Sequence, residues 1–136
     1  MAGLRKSTRA HVGTDDNRLS RLVLSFGYAL AGLRDAWRHS RNFRIEATIG
    51  IAALVLAWWL DANAVPVLLA GALVLGLELV NSALEAVVDL VSPGRHPLAG
   101  RAKDLAAGAV LLAAVNAILI GLLVMGPPLW ERLFGV

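Results

Sequence analysis

Cysteine is absent from the sequence. Disulfides and thiolate chemistry are therefore excluded, and the redox compartment leaves no trace. Aromatic residues make up only 6% of the chain, and no segment has the pattern of a DNA- or RNA-binding module, so nucleic acid is not an expected partner. The histidines at 11, 39 and 96 are too scattered for a metal-ligand spacing. There is no G-x-x-x-x-G-K-S/T loop, no glycine-rich dinucleotide fingerprint and no protein-kinase catalytic loop. Any nucleotide must be bound by another route.

What the chain has is apolar length. Of its 136 residues, 57% are hydrophobic, gathered in long blocks. The length suits one small domain, and the blocks suit a small polytopic membrane protein. The formal charge of +3 is concentrated near the N-terminus, which reads as topology and contact with anionic lipid. Arg5, Lys6, Arg9, Arg18 and Arg21 are not followed by the apolar core and cleavage site of a secretory signal. Residues 1–17 are expected to form a polar, flexible tail, and 18–136 a single membrane-embedded domain.

Hydrophobic periodicity places the elements. Leu19, Leu22, Val23, Phe26, Leu30, Leu33 and Trp37 recur at helical spacing, with Arg18, Arg21, Arg34 and Arg38 among or opposite them. This predicts an amphipathic helix over 18–39, lying at the membrane surface. Three transmembrane helices are predicted at about 43–60, 65–91 and 105–125. Arg44 is expected to snorkel from the short first span, and Trp58 and Trp59 to mark its far interface. Asp61 to Pro66 reads as a tight turn, and Ser92 to Pro97 as a helix break. Leu98 to Asp104 reads as a polar amphipathic segment, and Gly126-Pro127-Pro128 as the stop of the last span. Nine Lys and Arg fall in residues 1–44, none in 61–66, three in 92–104 and one in 129–136. The positive-inside rule then puts the N-terminus and the 92–104 loop in the cytoplasm and the C-terminus outside. The fold class is an all-α membrane protein.

One stripe stands out within the second span. Asn81, Glu85, Asp89 and Ser82 fall at roughly −60°, −20°, +20° and +40° from Glu78 on a helical wheel. Carboxylates at membrane depth usually face a bundle interior or a water-filled cavity, where they mark function. Glu78, the deeper, suits a general base. Glu85, nearer the cytoplasm, suits Mg²⁺, which favours one or two carboxylates plus substrate phosphates. Asn81 can orient either carboxylate. Lys103 suits a polyphosphate, Asp104 can orient Lys103, and Asp89 can pair with Arg101 or Lys103. Glu46 can cap the first span or face the site. A Glu/Asn stripe can also serve only to join helices by hydrogen bonds.

Glu78-Leu-Val-Asn81-Ser82-Ala-Leu-Glu85-Ala-Val-Val-Asp89, followed by His96-Pro-Leu-Ala-Gly-Arg-Ala-Lys103-Asp104, resembles the prokaryotic diacylglycerol kinase / undecaprenol kinase family. The resemblance reaches upstream through Phe26-Gly-Tyr28 and Gly32-Leu-Arg-Asp-Ala-Trp37 to Asn42-Phe-Arg44, and covers roughly 18–126. It implies a homotrimeric integral-membrane lipid kinase with a surface helix and three transmembrane helices per chain. Such an enzyme transfers the γ-phosphate of MgATP to a lipid hydroxyl at the cytoplasmic face of the inner membrane, in sites shared between chains. Glu78 then matches the general base, Glu85 the Mg²⁺ and nucleotide ligand, and Asn81 a supporting substrate-side residue. Tyr28, Gly94, Arg95, His96, Lys103 and Asp104 match nucleotide contacts, and Arg21 a basic residue on the lipid side. One position departs from the pattern. Well-known diacylglycerol kinases carry a second Mg²⁺-binding Glu three residues before the Phe, and that metal position is Ser40 here. His-Pro-Leu-Ala and Ala-Ala-Gly-Ala-Val stand nearer the undecaprenol branch, whereas Gly-Arg-Ala-Lys-Asp and Asn-Ser-Ala also occur in the diacylglycerol branch, so the resemblance leans slightly to undecaprenol. The rival readings are a small ion-coupled transporter and a non-catalytic scaffold. A relay to the outer face would mark the transporter, but residues 62–77 hold only Asn63 as a polar side chain.

Overall fold

The structure, a computed structural model, describes residues 15–135, so the expected tail lies almost wholly outside it. Four helices follow in order: α1 (Asp15–His39), α2 (Arg41–Trp59), α3 (Ala64–Val91) and α4 (Pro97–Phe134). All-α architecture is as expected. The chain divides into two compact units, one ending at Arg34 and one beginning at Asp35. In the first, the apolar positions Leu19, Leu22, Val23, Phe26, Leu30 and Leu33 are exposed. In the second, α3 is the central element and packs against both α2 and α4.

Local chemistry explains each break. Ser40 alone separates α1 from α2, and its hydroxyl accepts the Phe43 N–H at 3.1 Å as the N-cap. Arg44 lies one turn into α2 and donates to the carbonyls of Trp37 and Arg38, each at 3.0 Å. It thereby satisfies the free carbonyls that end α1. At the other end of α2, Ala62 N–H bonds to Ala57 O at 2.9 Å and Asp61 N–H to Trp58 O at 3.2 Å. That pair is a Schellman closure, with Asp61 at φ 53° in the left-handed position glycine usually takes. Asn63 caps α3 through Val65 N–H. His96 caps α4 through Leu98 N–H, with Pro97 at the first helical position.

Two helices, Ala64–Val91 and Pro97–Phe134, are long and apolar enough to cross a membrane. At 1.5 Å per residue they reach about 42 and 57 Å, beyond a hydrocarbon core of about 30 Å. The first turns of α2 carry Arg41, Arg44 and Glu46, and it is not among the helices that pass on composition. The core is thin and built of small residues, among them Ala57, Ala70, Val74 and Ala113, which let helix backbones approach closely. Large apolar side chains such as Leu69, Leu112, Ile118 and Leu123 face outward.

The last span differs from the sequence expectation at both ends. Leu98 to Asp104 is continuous with the span as one helix, and Gly126-Pro127-Pro128 does not stop it. The prolines remove two backbone donors, but the helix is held beyond them by tertiary contact. The Arg132 guanidinium lies 4.3 Å from the centre of the Trp59 ring and donates to the Trp59 carbonyl. Gly126 has no Cβ to clash with the Pro127 ring, which eases the approach to the first proline. Within a bilayer such interruptions are tolerated where neighbours support the helix.

Candidate active site

The stripe on α3 is graded by depth. Glu78 and Asn81 are 3% and 7% exposed, and they are the buried polar residues of this sparse core. Glu85 and Asp89, one and two turns further on, are exposed. Burial of Glu78 and Asn81 follows from their place where α3 packs against the start of α2. The Ser40 hydroxyl donates to Glu78 Oε1 at 2.8 Å. Asn81 Nδ2 donates to Glu85 Oε1 at 3.2 Å. These four side chains line one cavity of about 400 Å³. Asn81 Oδ1 is buried without a partner, and a buried acceptor left unpaired costs free energy unless a ligand completes it.

Ser40 thus occupies the heart of the site. Its hydroxyl accepts from Phe43 N–H while donating to Glu78, so one side chain both starts α2 and orients the deep carboxylate. Ser40→Ala is expected to cost about 1 kcal/mol from the lost cap. It should also free the Glu78 carboxylate from its only hydrogen-bond partner among the described residues. Thermal unfolding in detergent would read the lost cap.

A second cavity, of about 460 Å³, opens beside the first turn of α4. Gly94, Arg95, His96 and Lys103 line it together, as does Asp89. Lys103 Nζ meets Asp89 Oδ1 at 2.6 Å, one of the alternatives that the sequence left open. His96 accepts at Nδ1, which leaves its Nε2 to carry the proton of the neutral ring. Asp104 is exposed next to Lys103 and does not line this cavity. Arg21 and Tyr28 belong to the first compact unit and are exposed there. Glu46 does not cap α2. It lines a separate, largely apolar cavity of about 390 Å³ formed by α2, α3 and α4, where its Oε2 is buried without a partner.

Sequence reasoning missed Asp35 and His39, which line the Glu78 cavity. Their i, i+4 spacing at the end of the amphipathic helix was the available signal; it marks only a shared helix face. Among the described residues no three His, Asp or Glu side chains close on a point that would cage a metal ion.

Residues 27–125 match the family described as prokaryotic diacylglycerol kinase. A diacylglycerol kinase of Synechocystis is 51% identical over 79% of this chain, which spans 64% of that protein's length. A diacylglycerol kinase of Escherichia coli K12 is 43% identical over 74% of this chain and 84% of its own. An undecaprenol kinase of Bacillus subtilis is 39% identical over 83% of this chain and 94% of its own. With a family match across most of its length and a polar, carboxylate-lined cavity set in apolar helices, the chain belongs to the prokaryotic diacylglycerol kinase family of membrane lipid kinases.

Proposed function

We propose that this protein transfers the γ-phosphate of MgATP to the hydroxyl of a membrane lipid, with Glu78 as general base. The observation that carries the reading is the buried Glu78, held by Ser40 in a polar cavity that it shares with Asn81 and Glu85. Glu78 Oε1 accepts from Ser40, and Oε2 takes no part in that bond. It can take the lipid hydroxyl proton as that oxygen attacks the γ-phosphorus and the bond to the β-phosphate oxygen breaks, releasing ADP. Positioning and electrostatics carry most of the catalysis in phosphoryl transfer. The Lys103 ammonium, steadied by Asp89, supplies charge for the phosphates, and Gly94, Arg95 and His96 form the wall beside it. A nucleotide role for Tyr28 and Asp104, and a lipid-side role for Arg21, rest on the family resemblance alone.

The donor set fits Mg²⁺ through hard oxygen atoms: the exposed Glu85 carboxylate and the unpartnered Asn81 Oδ1. When bound, the ion would offset the charge on the phosphate oxygens. Ser40, spoken for by Glu78 and the α2 cap, acts in this scheme as a positioning residue for the base.

The same reading places the protein in the inner membrane with three spans, N-terminus inside and C-terminus outside, as a homotrimer. The 19 residues of α2 extend about 28 Å, close to the hydrocarbon thickness. Asn116, exposed amid apolar side chains of α4, suits an interhelical hydrogen bond in an assembly. Relatives named diacylglycerol kinase and undecaprenol kinase overlap in identity, so the acceptor is diacylglycerol or undecaprenol.

Purified protein in mixed micelles, given γ-labelled MgATP with diacylglycerol and undecaprenol in parallel, tests this. Labelled lipid from one of the two is the expected product, and it names the acceptor. No transfer to either lipid by folded protein would defeat the proposal.

A further inference from the structure

The cavity that holds Glu78 has an excess of negative charge. Asp35, Glu78 and Glu85 line it, against the single guanidinium of Arg41. It also contains an acceptor with nothing to accept: Asn81, 7% exposed, lines the same cavity, and its Oδ1 has no partner. An unpaired acceptor beside surplus carboxylates in one open cleft favours a cation.

Position 40 does not supply the second carboxylate that the family resemblance leads one to expect there. Ser40 has no charge, and its hydroxyl is bonded to Glu78 and to Phe43 N–H. Asp35 lies five residues earlier, on the last turns of α1, and faces the same cavity as Glu85. It is also held in place. His39 Nδ1 stands 2.9 Å from Asp35 Oδ1 and 3.1 Å from the Asp35 carbonyl. An N–H at Nδ1 shared between these oxygens turns the carboxylate and leaves Oδ2 outside the bond. No three His, Asp or Glu side chains among the described residues cage an ion. Two carboxylates completed by phosphate oxygens are what Mg²⁺ ordinarily takes.

We propose that Asp35, oriented by His39, is the second protein carboxylate for the divalent cation that accompanies the nucleotide, in place of residue 40. This rests on the kinase reading of the site. Asp35 and His39 side chains are 74% and 73% exposed, so substitution there leaves the small core intact.

The test uses the full chain in detergent micelles with a fixed concentration of a non-hydrolysable ATP analogue, with Mn²⁺ as the probe and protein-bound Mn²⁺ read by its paramagnetic resonance signal against the analogue alone. Losing even an indirect partner of a bound metal weakens affinity about 10- to 100-fold, so Asp35→Asn should weaken Mn²⁺ binding by about tenfold or more. The Mg²⁺ concentration for half-maximal lipid phosphorylation should rise by a similar factor. Asp35→Glu should keep most of the affinity. Ser40→Glu added to Asp35→Asn should restore Mn²⁺ binding, a rescue that a merely structural surface pair would not give. Unchanged Mn²⁺ affinity in Asp35→Asn, or no Mn²⁺ bound by a wild-type chain that phosphorylates lipid, would overturn the inference alone. A wild-type chain inactive on both lipids would instead defeat the kinase reading.

Discussion

Glu78→Gln should lower lipid phosphorylation by about 10³- to 10⁴-fold, the upper part of the range for removing a general base. Glutamine keeps the shape of the side chain and an oxygen that can accept from the Ser40 hydroxyl, so the bond that now measures 2.8 Å can survive. What disappears is the capacity to take a proton. The deep cavity, its Asn81 wall and the distant Lys103 are untouched, so the affinity for a fluorescent ATP analogue should stay within about twofold. Loss confined to kcat, with nucleotide affinity preserved, is the signature expected. Full turnover by the glutamine variant would remove Glu78 from the base role and leave it as a packing residue.

Lys103→Ala is the second large effect. An ammonium about 4 Å from a phosphate charge contributes about 4 kcal/mol at an effective dielectric constant of 20. The Lys103 side chain is 35% exposed, so solvent screening reduces this to about 2–3 kcal/mol, or roughly 30- to 150-fold in KM for ATP. The substitution also strands Asp89, whose carboxylate now pairs with Lys103 at 2.6 Å and would then repel phosphate. Lys103→Ala with Asp89→Ala should therefore recover part of the lost affinity, a non-additivity that a double-mutant cycle in KM measures. Strict additivity would mean that the Asp89 pairing has no bearing on the nucleotide.

The transporter and scaffold alternatives weaken for related reasons. Membership in a lipid-kinase family favours neither. The stripe also ends in exposed residues on one side, whereas residues 62–77 carry no comparable polar side chain toward the other. A proton relay needs groups at hydrogen-bonding distance along the whole path, and α3 has them over only part of its length.

Helix positions were legible because their signals are local. The spacing of Leu19 to Trp37, the Asp61 and Ser92 breaks and the apolar runs between them place α1, α2 and α3 within a few residues of their observed limits. The end of α4 was not legible. Gly-Pro-Pro is a strong local stop, but it is outweighed by the Arg132–Trp59 contact between residues 73 apart in sequence. No window of sequence contains that contact.

The site divides in the same way. Helical periodicity by itself determined that Glu78, Asn81, Glu85 and Asp89 share a face, because the angle per residue is fixed by backbone geometry. Membrane hydropathy by itself determined that polar groups there would need a lined interior. Only the tertiary structure decided which of them is buried, since burial depends on which helix covers the face. It alone showed that Ser40 binds Glu78 and that Asp35 and His39 line the same cavity. Those meetings join residues from three helices and the one-residue break between two of them, and their reach is set by packing rather than by spacing along the chain.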